Sequence, residues 1–191
     1  MGGAALTFPP ELLLMAQGEG LGMKVALFDV DGVLTDGQLF IGEHGEVFKA
    51  FHALDGHGLK LLAMGGILPL VITGRDSLAV RRRVADLGLQ HAVYGAHDKL
   101  AAAEQLLSQL GLAWGEVAAI GDDWPDLPLL TRAAFACAPA NAHAEVRAVA
   151  HHTTSARGGG GAAREFCDLL LMANGQYARL LQGHRVTLDS K

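Results

Sequence analysis

Three apolar runs, each ending abruptly in polar groups, constrain the fold of this 191-residue chain more than any other feature. "KVALFDVDG" runs into Asp29 and Asp31, "ILPLVITG" into Thr73 and Gly74, and "EVAAIGDD" into Asp122 and Asp123. Short apolar runs bounded by turn residues read as strands buried on both faces. Between them lie helical stretches: "DGHGLKLLAMGG", "DSLAVRRRVADLGL" with Gly88 as its stop, and "DKLAAAEQLLSQLGL". Strands separated by helices of about 10 to 15 residues imply right-handed crossovers and a parallel sheet. The expected fold is therefore α/β, a doubly wound and mostly parallel sheet. In such sheets ligands bind beyond the carboxyl ends of the strands, where these polar groups stand.

The rest of the chain fits the same frame. "HAVYG", "FACAPA" and "HHTT" read as further strands, and "FCDLLLMANGQYARLLQG" as one last helix. Residues 1–23 form an N-terminal leader with a short apolar helix, 24–183 the domain, and 184–191 a C-terminal tail. Within the domain a β-hairpin insert spans about 37–51, and a Gly-rich tail spans 155–165. The hairpin sequence "GQLFIGEHGEVFKAF" holds Leu39, Phe40, Ile41, Val47 and Phe48, too many apolar groups for two short strands to bury alone. Self-association is expected.

A formal net charge of −5 gives no reason to expect nucleic acid or an anionic membrane surface as a partner. No uninterrupted apolar span of about 18 residues is present, and no basic stretch precedes "ELLLMA", so neither a transmembrane helix nor a secretory signal is expected. Cys137 and Cys167 stand far apart and form no metal-ligand spacing, which suits buried thiols in a reducing, cytoplasmic compartment.

Carboxylates that converge at one edge repel one another, and a divalent cation relieves the repulsion. Asp29, Asp31 and Asp122 make a candidate Mg²⁺ site, because Mg²⁺ prefers oxygen ligands and keeps water positions that a phosphate can take. A carboxylate facing such a phosphate can act as a nucleophile. Phosphoryl transfer then needs positioning and positive charge, which Thr73 and Lys99 are placed to supply. Gly32 lets the backbone come close.

"FDVDGVLTD", "ITGR", "DK" and "GDDWPDLP" together resemble the four motifs of the haloacid dehalogenase superfamily of phosphatases. With the hairpin, "KAFHALDGHGLKLL" and "RGGGGAARE", the chain from about 23 to 183 resembles the 3-deoxy-D-manno-octulosonate 8-phosphate phosphatase family, which has no large cap domain. The resemblance implies roles. Asp29 would be the nucleophile that forms a phosphoaspartate, and Asp31 the acid and base for the leaving alcohol and the water. The Asp29 and Asp122 carboxylates and the Asp31 main-chain carbonyl would hold Mg²⁺. Thr73 and Lys99 would bind the phosphate, with Asp123 and Asp126 supporting them. It also implies a homotetramer joined through the hairpins, a neighbouring subunit over each site, and a small sugar phosphate as substrate.

Lys49, Asp55, Gly74 and Arg75 lie close to the motifs and are candidates for substrate contact, with an arginine fork suited to a sugar carboxylate. In the tail, Arg157 and Arg164 flank four glycines. Composition reads this tail as flexible, and the resemblance implies a basic segment that closes over an adjacent active site. Phosphatases of nine-carbon sialic-type 9-phosphates share the motifs and remain an alternative. A receiver-like phosphoacceptor domain fits less well, since its phosphoacceptor follows a later strand. Of the remaining polar groups, His151 and His152 alternate in side on an edge strand and cannot face one metal together. Arg81, Arg82 and Arg83 point to three faces of one turn and read as solvated. Trp124 reads as a packing residue.

Overall fold

The computed structural model describes residues 6–18 and 22–186. In chain order the elements are α1 (Pro10–Ala16), β1 (Val25–Phe28), β2 (Phe40–Gly42), β3 (Gly45–Phe48), α2 (Ala53–Met64), β4 (Leu68–Ile72) and α3 (Leu78–Leu87). They continue with β5 (His91–Val93), α4 (Lys99–Leu110), β6 (Val117–Ile120), α5 (Leu127–Leu130), β7 (Phe135–Ala138), α6 (Ala144–Val149), β8 (His152–Thr153), α7 (Ala162–Ala173) and α8 (Tyr177–Val186).

Six strands form one sheet in the order β5-β4-β1-β6-β7-β8, all parallel. β1 lies between β4 and β6, so the chain winds outward on one side of it and then on the other. That reversal makes the carboxyl end of β1 the switch point of the sheet. Side chains alternate across β1: Ala26 and Phe28 join one core layer with Leu59 and Phe166, while Val25 and Leu27 join the other with Leu107 and Leu129. Both faces are buried, as the unbroken apolar runs require.

Local signals explain how the helices start and stop. The Ser77 hydroxyl caps α3, and the Asp98 carboxylate accepts the Ala101 N–H at 3.0 Å to cap α4. Gly88 and Gly111 end the same two helices in the left-handed conformation. The cap at Asp98 sets Lys99 as the first residue of α4.

The fold departs from expectation in four places. The described part of the leader belongs to the domain: Leu12, Ala16 and Met23 are in the core, and the Gln17 side chain donates to Ala173 O at 3.0 Å, while residues 1–5 and 19–21 lie outside the described residues. The last predicted helix is two, because Gly175 takes φ 68° and separates α7 from α8. α8 runs past residue 183 to Val186, and residues 187–191 of the expected C-terminal tail lie outside the described residues.

The Gly-rich tail is the fourth. It is packed against the loop that follows β1 in its own chain. Gly159 donates to Val33 O at 3.0 Å, and Gly158 donates to Asn141 Oδ1 at 2.8 Å. A Cβ at Gly158 would lie 1.7 Å from Gly32 O. Glu165 accepts the N–H groups of Ser155 and Ala156 and closes the segment. Glycine serves backbone contact here rather than flexibility.

Candidate active site

A cavity of about 300 Å³ opens at the carboxyl end of β1, lined by Asp29, Asp31, Thr73, Gly74, Arg75, Ala96, His97, Lys99, Asp122, Asp123, Pro125 and Asp126. Every group in it comes from the turn after a parallel strand or from the start of α4. The sheet alone therefore gathers residues that stand up to 97 positions apart, from Asp29 to Asp126.

Lys99 is the cation at the floor. It is 7% exposed, and its Nζ lies 2.6 Å from Asp29 Oδ1 and 2.7 Å from Asp126 Oδ1. Asp126 uses its second oxygen to accept the N–H groups of Asp122 (3.1 Å) and Asp123 (3.4 Å), which shapes the turn after β6. Asp126 therefore supports the site, and Asp123 is exposed at its rim.

Asp29, Asp122 and Asp126 bring carboxylate oxygens within 4.8 Å of one another. One lysine cannot balance them. Burial and the Asp126 charge push Asp29 up to about 8 against the pull of Lys99, and the same two causes push Asp122 up to about 7. Burial pulls the Lys99 ammonium down, but Asp29 and Asp126 outweigh it and hold it above its ordinary value. We take the surplus of negative charge as the governing fact.

Gly32 has φ +99°, and a Cβ there would lie 2.0 Å from Asp122 Oδ2. The first loop thus presses its backbone onto the Asp122 carboxylate. An all-oxygen donor set, excess negative charge and a backbone brought close by glycine fit a hard divalent cation. The fit is to Asp29 and Asp122, since both Asp126 oxygens are already engaged.

Thr73 is buried at the end of β4, and its Oγ1 accepts the Arg75 N–H at 3.3 Å. Its own O–H has no acceptor among the described residues and faces a cavity that it lines. Asp31 receives a hydrogen bond from Lys49 on Oδ1, while its buried Oδ2 has no hydrogen-bond partner among the described residues. Arg75 Nε lies 3.9 Å from that oxygen, and the Arg75 side chain is half exposed.

Several expected substrate contacts stand elsewhere. Lys49 does not line the cavity; its ammonium, almost fully buried, lies between Asp31 and Glu46. Asp55 is buried in α2, accepts the Arg164 N–H at 2.8 Å, and so anchors the start of α7. Arg164 turns to Asp168, 2.9 Å away. Arg157 is exposed and is not among the lining residues. Asp55, Arg157 and Arg164 thus lie outside the cavity of their own chain. Trp124 is 60% exposed and donates to His143 Nδ1 at 3.0 Å, so it is not a core packing residue. Arg81 and Arg82 are exposed and pair with Asp76 and Asp86, as a solvated face allows, whereas partly buried Arg83 departs from that reading and reaches His52 O. His151 is exposed, while His152 is partly buried against Glu165.

Sequence reasoning missed His97, which lines the cavity, and the pair Glu46 and Ser77 beside it. His97 directly precedes the "DK" pair and had that signal. Glu46 and Ser77 are 31 residues apart and had none.

A family model described as haloacid dehalogenase-like hydrolase matches residues 92–166. The 3-deoxy-D-manno-octulosonate 8-phosphate phosphatase of Haemophilus influenzae is 42% identical over 154 residues, 81% of this chain and 86% of that protein. The chain belongs to this phosphatase family. Two solved structures extend the similarity to the fold. A probable YrbI family phosphatase from Pseudomonas syringae superposes with a TM-score of 0.86 at 44% identity, over 94% of this chain and 98% of the other. The family's enzyme from Moraxella catarrhalis, solved with magnesium, phosphate and the KDO sugar, gives 0.85 at 38% identity, over 91% and 98%.

Proposed function

We propose that this chain is a Mg²⁺-dependent phosphatase that hydrolyses 3-deoxy-D-manno-octulosonate 8-phosphate to the free sugar acid and phosphate, in the synthesis of lipopolysaccharide precursor. The observation that carries this reading is the convergence of Asp29, Asp122, Asp126 and Lys99 at the carboxyl end of β1, with Asp31 two residues on. A receiver-like domain has no need of a second carboxylate placed like Asp31.

The residues divide the work as follows. A carboxylate oxygen of Asp29 attacks phosphorus, and the bond to the sugar oxygen breaks with its electron pair going to that oxygen. Asp31, as a carboxylic acid, protonates the leaving oxygen. In the second half Asp31 takes a proton from water, the water oxygen bonds to phosphorus, and the Asp29 carboxylate leaves intact. Lys99 and the Thr73 hydroxyl stabilise charge on the outer phosphoryl oxygens, and Lys99 also holds Asp29 in place. The carboxylates of Asp29 and Asp122, with the Asp31 main-chain carbonyl, would hold Mg²⁺. When bound, the ion offsets the carboxylate charge and draws electron density from the phosphoryl oxygens. Half-exposed Arg75 at the cavity mouth is the cation best placed for the sugar carboxylate.

Self-association is part of the same proposal. Among the described residues β2 and β3 pair only with each other, and Leu39 just before them is exposed, as are Ile41, Val47 and Phe48 on them. A homotetramer built through these hairpins would cover that surface and wall the cavity. Two buried free thiols, Cys137 and Cys167, support a reducing, cytoplasmic location. Among the described residues no helix is long and apolar enough to cross a membrane.

The deciding experiment is phosphate release over a panel of sugar phosphates, with Mg²⁺ and with excess chelator. The eight-carbon sugar acid phosphate should turn over fastest, and chelator should abolish turnover. Faster turnover of a nine-carbon sialic-type 9-phosphate would move the substrate assignment. Full activity in chelator would remove the metal from the mechanism. Light scattering that gives a clean monomer at micromolar concentration would overturn the tetramer.

A further inference from the structure

Behind the cavity wall lies a chain of alternating charges whose two middle members, Lys49 and Glu46, the mechanism above does not use. Ser77 Oγ donates to Glu46 Oε1. Lys49 Nζ donates to Asp31 Oδ1 and lies 3.0 Å from Glu46 Oε2, an ion-pair contact without hydrogen-bond alignment. Arg75 Nη2 is 3.7 Å from the same Glu46 oxygen, and Arg75 Nε is 3.9 Å from Asp31 Oδ2. The order is Asp31, Lys49, Glu46, Arg75, with both ends lining the cavity and both middle members behind it.

Three separate parts of the fold meet here. Asp31 belongs to the loop after β1. Glu46 and Lys49 belong to the hairpin, and Arg75 and Ser77 to the turn between β4 and α3. Lys49 is almost fully buried, and a buried ammonium facing one carboxylate would bind it tightly. Glu46 shares that ammonium. It also faces Arg75 and is itself anchored by Ser77, the cap of α3.

We propose that Glu46 is a positioning residue for the reaction: it divides the Lys49 charge between two carboxylates, so that Lys49 orients Asp31 without withdrawing it from the leaving oxygen. This inference rests on the phosphatase reading and concerns one step of it, proton transfer at Asp31. Loss of the Glu46 charge gives Lys49 a single partner. Arg75 keeps its contact with Asp31 Oδ2, 3.9 Å away, and its place at the cavity mouth. Asp31 is then held toward the hairpin, and proton delivery to a poor leaving group slows. A leaving group that departs as a stable anion does not need that proton.

The test compares Glu46→Gln with wild type on two esters. With 3-deoxy-D-manno-octulosonate 8-phosphate, kcat should fall about ten- to hundredfold, part of the hundred- to ten-thousandfold typical of losing an acid–base group outright. KM should stay within about twofold. With 4-nitrophenyl phosphate under rapid mixing, the burst of nitrophenolate should keep its wild-type rate, because formation of the Asp29–phosphorus bond needs no proton from Asp31. The steady phase after the burst should slow, because Asp31 must still activate water. Glu43→Gln, at the exposed hairpin turn, is the control and should match wild type on both esters. If Glu46→Gln does not fold, Glu46→Asp keeps the charge but shortens its reach and is judged by the same two rates. An unchanged kcat on the sugar phosphate overturns the proposal. So does a burst that slows in step with sugar turnover, since the whole site would then be disturbed. If wild type releases phosphate from neither ester, the phosphatase reading itself fails, and that outcome is distinct from both.

Discussion

Lys99 Nζ lies 2.6 Å from Asp29 Oδ1, a contact that joins the first residue of α4 to the end of β1 across 70 positions. Both side chains are nearly closed to solvent, and the same ammonium holds Asp126 at 2.7 Å. One cation thus fixes Asp29, the proposed nucleophile, and the turn that carries Asp122.

Lys99→Met removes that cation. Turnover should fall about a hundred- to a thousandfold, the loss typical of a group that stabilises developing charge. In chelator at pH 8 the variant should also lose about 3 to 5 kcal/mol of stability, since a buried ion pair is broken by removing one partner. Steady-state phosphate release and urea denaturation measure the two. A variant with a tenth of wild-type activity would show that Lys99 only fills space.

The pH dependence of stability follows from Asp29 at about 8 and Asp122 at about 7 without metal. Both are raised above their unfolded values, so the folded state binds more protons across that window. Their contribution is complete below about pH 4 and is lost as pH rises through 7 and 8. Lys99 is also raised, and its contribution is lost only in the alkaline range above its ordinary value. Melting temperature in chelator should therefore fall between pH 5 and pH 8.5. Mg²⁺ should stabilise more at pH 8.5 than at pH 5, because the ion needs both carboxylates charged. Equal stabilisation by Mg²⁺ at both pH values would contradict the assignment of Asp29 and Asp122.

The two carboxylates of the first loop should separate by substitution. Asp29→Asn should lose nearly all turnover and form no phosphoenzyme. Asp31→Asn should slow turnover about a hundred- to ten-thousandfold, with phosphoenzyme accumulating on an activated aryl phosphate. Acid-quenched samples of labelled protein distinguish them. Covalent catalysis at Asp29 is wrong if Asp29→Asn retains a tenth of wild-type rate.

Gly158→Ala tests the packing of the tail. Its Cβ would meet the Gly32 carbonyl at 1.7 Å, so one backbone segment must move. The expected cost is about 1 to 3 kcal/mol or more. Turnover should fall with it, because Gly32 also presses on Asp122. Gly160→Ala, whose nearest neighbour would be Arg157 O at 3.3 Å, should be milder on both measures. Equal effects would show that the segment does not brace the site.

Much of this site was legible in the sequence because a parallel sheet imposes it. Apolar runs ended at Asp29, Thr73 and Asp122, and the fold has one place where such ends meet. Asp98 and Lys99 were readable for the same reason, as a cap followed by the first helical residue. What failed was contact between distant parts. Gly158 to Gly161 look flexible by composition, and only the folded chain shows why side chains are absent at the first two, where Gly158 meets Gly32 and Gly159 meets Thr35 and Asp36. Asp55 and Arg164 carry charges suited to a sugar phosphate, yet their partners are main-chain N–H groups and Asp168. Glu46 lies among apolar hairpin residues and finds Ser77 only in the folded chain.

The contact between Gly158 and Gly32 also bears on how the enzyme is made. The loop after β1 emerges early in synthesis, but the segment that braces it is 126 residues further on. A nascent chain holding Asp29, Thr73, Lys99 and Asp122 already carries the groups proposed to react, with the brace for Gly32 still to come. Long-range closure of this kind is slow relative to local helix formation. The braced loop is therefore expected to complete only once the chain through Gly158 is made, and chains released before it would hold the chemical groups without the brace.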